Sequence, residues 1–170
     1  LYASSCSQIT YNLANSLENH LKYKNNNNIS EIILTNFTHE SCITPFERIA
    51  NKNNIKINWW KLDKSDSSNK YKINYFDLLS NVNSNTKLVV IPHVSNILGN
   101  IIDIKFLCNS IKNINPKTLI LIDGVAYLPH DLIDVNDYNA DFYIISFYKL
   151  CGLRTSLMTV SNNIDTNILE

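Results

Sequence analysis

Glycine is nearly absent from this 170-residue chain, which holds only three, beside four prolines, four cysteines and one methionine. Asparagine is over-used at the same time, as in Asn25-Asn26-Asn27-Asn28, Asn53-Asn54 and Asn81-Val82-Asn83-Ser84-Asn85. Together these read as coding bias and carry no functional signal. No excess of charge exists either: 15 Lys and Arg balance 15 Asp and Glu, and the cations are scattered along the chain. A phosphate-backbone footprint needs basic residues gathered on one face, so nucleic acid is not an expected partner.

Long apolar runs are also missing. None approaches the roughly eighteen residues of a membrane span, and the first residues lack the charged-then-apolar layout of a signal peptide. No membrane association is expected, and the chain reads as soluble. The cysteines, Cys6, Cys42, Cys108 and Cys151, form no close pair and no zinc-type spacing, so no metal site is expected and reduced, intracellular thiols follow. The chain opens on Leu1-Tyr2-Ala3 without an initiator methionine and stops at Glu170 after a strand-like segment. It reads as excised from something longer, with targeting information lost. A cytoplasmic location is expected, and an organellar one stays open.

What is present is a pattern of alternating periods. A chain of this size closes one core, so one compact domain over residues 1–170 is expected. Ile9, Leu13, Leu17 and Leu21 recur every four residues and predict a helix from about Ser7 to Lys24, ended by the Asn run. Apolar runs at Glu31–Thr35, Lys56–Trp60, Lys87–Pro92, Thr118–Asp123, Phe142–Ser146 and Ser156–Ser161 predict strands. Helical periods fit Ile43–Asn51, Tyr75–Asn81 and Ile104–Asn113. Strands apolar on both faces and separated by helices require a mostly parallel sheet covered on two sides, a three-layer α/β/α fold. In such sheets ligands bind at the carboxyl ends of the strands.

The polar residues collect at those ends. Asp123 closes the run Leu119-Ile120-Leu121-Ile122, and Lys149 follows Phe142-Tyr143-Ile144-Ile145-Ser146. Two adjacent strand ends would present an acid and an amine to one crevice; a structural ion pair at the sheet rim accounts for them as well. His39 and Asn96 follow two further strand exits, where turn or capping roles are equally available. Ser4-Ser5-Cys6-Ser7-Gln8 precedes the first helix, with Ser5 and Gln8 at capping-box spacing. Free N–H groups and hydroxyls there suit a phosphate, although capping alone explains them.

Five ordered blocks carry a resemblance. They are His39-Glu40-Ser41 with Pro45-Phe46; His93-Val94-Ser95-Asn96 with Gly99; Asp123-Gly124; Pro129-His130-Asp131-Leu132-Ile133-Asp134-Val135; and Ala140-Asp141-Phe142-Tyr143 with Ser146-Phe147-Tyr148-Lys149. In this order they resemble the class V aminotransferase and cysteine desulfurase family of fold-type-I pyridoxal-phosphate enzymes, over nearly all of the chain. A cysteine-desulfurase-like subgroup is indicated, with some resemblance to molybdenum-cofactor sulfurases.

The resemblance implies pyridoxal 5'-phosphate as cofactor, and the large cofactor-binding domain of the fold, without the small C-terminal domain or the N-terminal segment. It implies Lys149 as the Schiff-base lysine, with an amine whose pKa desolvation and nearby positive charge would lower. Asp123 would partner the pyridine nitrogen, His39 would stack on the ring and shuttle a proton, and Asn96 would donate to the phenolic oxygen. Ser7 and the Cys6 N–H would grip the phosphate, joined by the Ser146 and Tyr148 hydroxyls. The catalytic set is thus Lys149, His39 and Asp123. A small-molecule amino-acid substrate and a homodimer are implied, with cysteine desulfuration or a related lyase reaction leading. The nucleophilic cysteine and the arginine for the substrate carboxylate are expected outside the chain. Cys42 and Cys151, though close in sequence to His39 and Lys149, are expected as buried structural thiols.

Three departures stand out. Ala126 occupies the place of a family Gln or His, Gly152-Leu153-Arg154-Thr155-Ser156 replaces a G-P-x-x-G loop, and Ser5 replaces a glycine, which strains the backbone if positive φ is needed. They keep open a diverged member that acts as a binding or scaffold protein without turnover. An α/β domain for another phosphate compound is a third reading.

Overall fold

The computed structural model describes residues 1–22, 29–64 and 71–169. The chain runs β1 (Tyr2–Ala3), α1 (Cys6–Leu21), β2 (Glu31–Thr35), α2 (Thr44–Asn53), β3 (Lys56–Trp60), β4 (Asp63–Lys64), β5 (Tyr71–Lys72), α3 (Tyr75–Asn81), β6 (Thr86–Pro92), α4 (Ile104–Ile114), β7 (Leu119–Asp123), β8 (Phe142–Ser146) and β9 (Ser156–Val160). Seven strands form one sheet in the order β1-β9-β8-β7-β6-β2-β3, while β4 and β5 form a separate ribbon. The run β8 to β3 is parallel throughout, and β9 and β1 are antiparallel to their neighbours.

Alternation along each strand divides the side chains between two cores. Ile32, Leu34, Leu88, Val90, Leu119 and Leu121 face α1 and α2, which supply Ile9, Leu13, Leu17, Phe46 and Ile49. Ile33, Val89, Ile91, Ile120 and Ile122 face the other way, against Leu78 of α3 and Leu107 and Ile111 of α4. These residues are almost entirely shielded from solvent. The architecture is three-layer α/β/α, as the alternation of strands and helices predicts. No helix among the described residues is long and apolar enough to cross a membrane.

Helix α1 buries the four residues whose spacing predicts it, but it ends at Leu21 with Lys22 as its cap. The Asn run expected to end it lies outside the described residues. The lower edge of the sheet is tied by Asp141, which accepts from Lys112 Nζ at 2.7 Å and from the Ile120 N–H at 2.7 Å. This places the starts of β7 and β8 side by side and fixes where both strands end. Next to β2 the strand order changes direction: β3 lies on one side and β6 on the other. Such a switch point opens a crevice at the carboxyl ends.

Candidate active site

One cavity of about 330 Å³ opens at the carboxyl ends of the parallel strands. All eight residues expected at the site line it: Cys6 and Ser7 from the start of α1, His39 after β2, Asn96 after β6, Asp123 at the end of β7, and Ser146, Tyr148 and Lys149 at and after the end of β8. Ser4, Ser5, Ser41, Ala126 and Arg154 line it too. The volume falls at the small end of the ligand-pocket range, ~300–1,000 Å³.

The strand-exit loops are fastened to one another. Thr38 Oγ1 donates to Asp123 Oδ2 at 3.4 Å, and the Val125 N–H donates to Oδ1 at 3.1 Å. The His93 N–H donates to the Asp123 carbonyl at 2.8 Å. Ser95 Oγ donates to the Phe37 carbonyl at 3.0 Å, linking the loop that bears Asn96 to the loop that bears His39. Asp123 is buried, and neutral donors hold it. It forms no ion pair with Lys149, nor with any other described cation. The rim ion pair that the two residues could have made is therefore not what joins them.

His39 is exposed and caps a turn: its Nδ1 accepts from the Ser41 N–H at 3.1 Å and lies 2.8 Å from Ser41 Oγ. An Nδ1 that accepts leaves Nε2 as the ring position open to a ligand. Behind the cavity, His93 stacks on Tyr127 with centroids 3.6 Å apart, and its Nδ1 lies 2.6 Å from Tyr143 Oη. Burial lowers the His93 pKa to about 4, so the ring is neutral. Gly124 is required where it stands, because a Cβ there would meet Tyr143 Cε1 at 2.1 Å.

At the start of α1, Ser5 Oγ accepts from the Gln8 N–H at 3.2 Å, while the Gln8 side chain turns to Asn12 Oδ1. The capping box is thus half formed. The Ile9 N–H reaches the Ser5 carbonyl, which leaves the N–H groups of Cys6 and Ser7 as the free donors of this terminus. No acidic residue occupies the first turn. Ser5 has φ −158°, so its replacement of a glycine strains nothing, and the expected reason for weak cofactor binding falls away. Cys6 Sγ lies 3.3 Å from Ser156 Oγ, which donates to Ser146 Oγ at 2.9 Å. The Ser146 proton is then free to donate into the cavity. Burial above all raises the Cys6 pKa, so the thiol stays protonated.

The two other cysteines near the site divide. Cys42 is buried, with a pKa raised well above normal by desolvation, as expected of a structural thiol. Cys151 is exposed, which corrects the expectation of burial. It caps the turn Phe147–Leu150 in the left-handed region, at φ 57°.

Arg154 is the main residue that motif reading passes over. It belongs to the divergent loop, and no pattern marks it. The loop is drawn to the cavity by the pairing of Ser146 with Ser156 and closed by the Phe147 N–H to the Thr155 carbonyl at 3.0 Å.

Comparison with known proteins agrees with this geometry. The family model described as Aminotransferase class-V matches residues 1–164. The aminotransferase-like protein FGM3 of Gibberella zeae is 44% identical over 128 residues, covering 75% of this chain and 31% of that protein. Cysteine desulfurase SufS of Plasmodium falciparum is 33% identical over 143 residues, covering 80% of this chain and 25% of that protein. The chain thus spans about a third or less of these relatives. The apo cysteine desulfurase from Thermococcus onnurineus NA1 superposes with a TM-score of 0.79 at 21% identity, over 95% of this chain and 38% of that one, a likeness of fold. A match that runs through every block lining the cavity leaves one conclusion: the chain belongs to the class V aminotransferase family, whose cofactor is pyridoxal phosphate.

Proposed function

We propose that residues 1–170 form the large, cofactor-binding domain of a pyridoxal-phosphate enzyme acting on an amino acid, with a cysteine-desulfurase-like or related lyase or sulfurtransferase reaction. The observation that carries this reading is the convergence of Lys149, Asp123, His39 and Asn96 on one cavity from four different strand ends.

The donor set fits the cofactor's chemistry. Free N–H groups of Cys6 and Ser7, the Ser146 and Tyr148 hydroxyls and an acid-free helix terminus suit a phosphate dianion. Lys149 supplies the amine for covalent attachment. Asp123, held among neutral donors, keeps a proton on the ring nitrogen by electrostatic attraction. When bound, the cofactor supplies an electron-withdrawing ring that stabilises negative charge at the substrate Cα. Asn96 would donate to the phenolic oxygen. His39 would lie against the ring and hold or pass a proton at Nε2, since Nδ1 is engaged by Ser41.

A homodimer would cover exposed apolar side chains such as Leu132, Leu153 and Ile97, which are 92%, 80% and 75% exposed. Apolar side chains this exposed favour association.

Borohydride reduction of the full-length protein with pyridoxal phosphate should fix the cofactor to the peptide containing Lys149, read by mass, and Lys149→Ala should abolish it. No fixation at saturating cofactor would overturn the reading. A second reading, cofactor held without turnover, is favoured by Ala126, which offers the cavity no hydrogen bond. Fixation with neither sulfide release from cysteine nor keto-acid formation would support it.

A further inference from the structure

Arg154 takes no part in the chemistry assigned to the cavity so far. It stands on loop 152–156, where the chain departs from the family pattern, and it lines the cavity beside Lys149. These two are the Lys and Arg side chains of the wall. The Arg154 guanidinium forms no ion pair with Asp123 or any other described carboxylate, and no hydrogen bond among the described residues. The protein supplies it with no counter-charge there.

The sheet sets which end of the cavity Arg154 occupies. Strands β1 and β9 are antiparallel, with Tyr2 opposite Leu157 and Ala3 opposite Ser156. Ser5 continues the extended course of β1, at φ −158° and ψ 159°, before the helix begins at Cys6. Carried two residues further, the register brings Ser5 opposite Arg154. Arg154 thus stands beside the start of α1, where the Cys6 and Ser7 N–H groups are free. The hydroxyl of Ser146, a residue only 2% exposed, is the third donor, and Ser156 Oγ ties it to the same strand at 2.9 Å.

The loop itself is fastened. The Gly152 N–H reaches the Phe147 carbonyl at 3.0 Å, and a Cβ at Gly152 would meet that oxygen at 2.9 Å, so the turn needs glycine. The other end is closed by the Phe147 N–H to the Thr155 carbonyl at 3.0 Å. Arg154 is carried on a loop anchored at both ends to the turn that bears Lys149.

A phosphate monoester carries about −1.5 to −2 charges at neutral pH, and a helix N-terminus offers about +0.5. Hydroxyls and N–H groups add hydrogen bonds but no full charge, and the Lys149 amine is committed to attachment. Resting on the functional reading above, we propose that Arg154 is the cation of the phosphate site: its guanidinium pairs with the cofactor phosphate, and loop 152–156 acts as a charged clamp. The departure from G-P-x-x-G is then a different way of holding the cofactor, not a loss of holding.

The test uses the full-length protein stripped of cofactor. It compares pyridoxal phosphate with pyridoxal, which keeps the ring and aldehyde and lacks the phosphate, and reads dissociation constants from the absorption band each forms. Arg154→Ala should weaken pyridoxal phosphate about 10- to 100-fold, the range of a charge-assisted hydrogen bond, and leave pyridoxal within about twofold. Retained pyridoxal binding also reports that the variant is folded. Arg154→Lys should fall between, since it keeps the charge and loses the planar fork of donors. Equal loss for both ligands, or loss for neither, would overturn the clamp. So would normal binding of pyridoxal phosphate with weakened binding of the amino acid alone, the mark of a carboxylate contact. Failure of the unaltered protein to bind either ligand would instead overturn the functional reading, and the clamp with it.

Discussion

His93 and Tyr143 meet in a hydrogen bond, Nδ1 to Oη at 2.6 Å, between two residues that are 4% and 2% exposed. The bond joins the exit of β6 to the middle of β8, directly beneath the loop that follows Asp123. Tyr143 leaves no room for a side chain at Gly124, and His93 supports Tyr127. Neither touches the cavity, yet both set the path of the loop that does.

Acid should reveal this pair. Burial holds the His93 pKa at about 4 against an ordinary value of 6.5, with Asp131 opposing weakly. Between those values the unfolded chain binds the proton and the folded site does not, so stability rises with pH. The His93 contribution should be fully present above about pH 6.5 and be lost as pH falls toward about 4. Urea midpoints measured across that window should slope upward with pH, and His93→Phe should flatten the slope. An unaltered slope would show that His93 is not the titrating group.

Asp123→Asn should separate holding from chemistry. The amide oxygen can still accept from the Val125 N–H, and the amide nitrogen can donate to Thr38 Oγ1 in place of the bond it loses, so the fold and cofactor binding should persist. The negative charge facing the ring is lost, and turnover by the full-length protein should fall on the order of 10²-fold or more. Steady-state kinetics beside a cofactor-binding titration would check both halves. Equal activity would remove Asp123 from its assigned role.

Asp141→Ala should act on stability alone. The carboxylate pairs with Lys112, whose side chain is only 17% exposed, and accepts a buried backbone N–H. Removing it leaves the Ile120 N–H unpaired and Lys112 without its counter-charge, and breaking such a pair costs about 3–5 kcal/mol. Chemical denaturation should show a loss near the low end of that range, because Lys112 Nζ keeps the Thr118 carbonyl at 2.9 Å.

Much of the architecture is written in local periods. Glu31–Thr35, Lys56–Trp60, Phe142–Ser146 and Tyr75–Asn81 form with the bounds their patterns predict, and α4 runs one residue beyond its pattern, to Ile114. The strands β1, β4 and β5 are two residues each, too short to display a period, and nothing local marks them. The antiparallel course of β9 is set by its pairing with β8, a long-range relation that alternation does not encode. The convergence of the eight expected residues on one cavity is legible because motif blocks sit where strands end. Arg154 and the exposure of Cys151 were not, since both depend on how the loop after Lys149 folds back. The strain anticipated at Ser5 depends on a backbone angle, and φ −158° removes it.

The thiol and two hydroxyls linking Cys6, Ser156 and Ser146 also order events in time. Cys6 meets Ser156 across 150 residues of chain, so the start of α1 cannot reach its final setting until β9 has been synthesised and added to the sheet. Closing so long a loop carries an entropic cost that slows its formation. A nascent chain could carry a finished parallel core before the start of α1 has met β9.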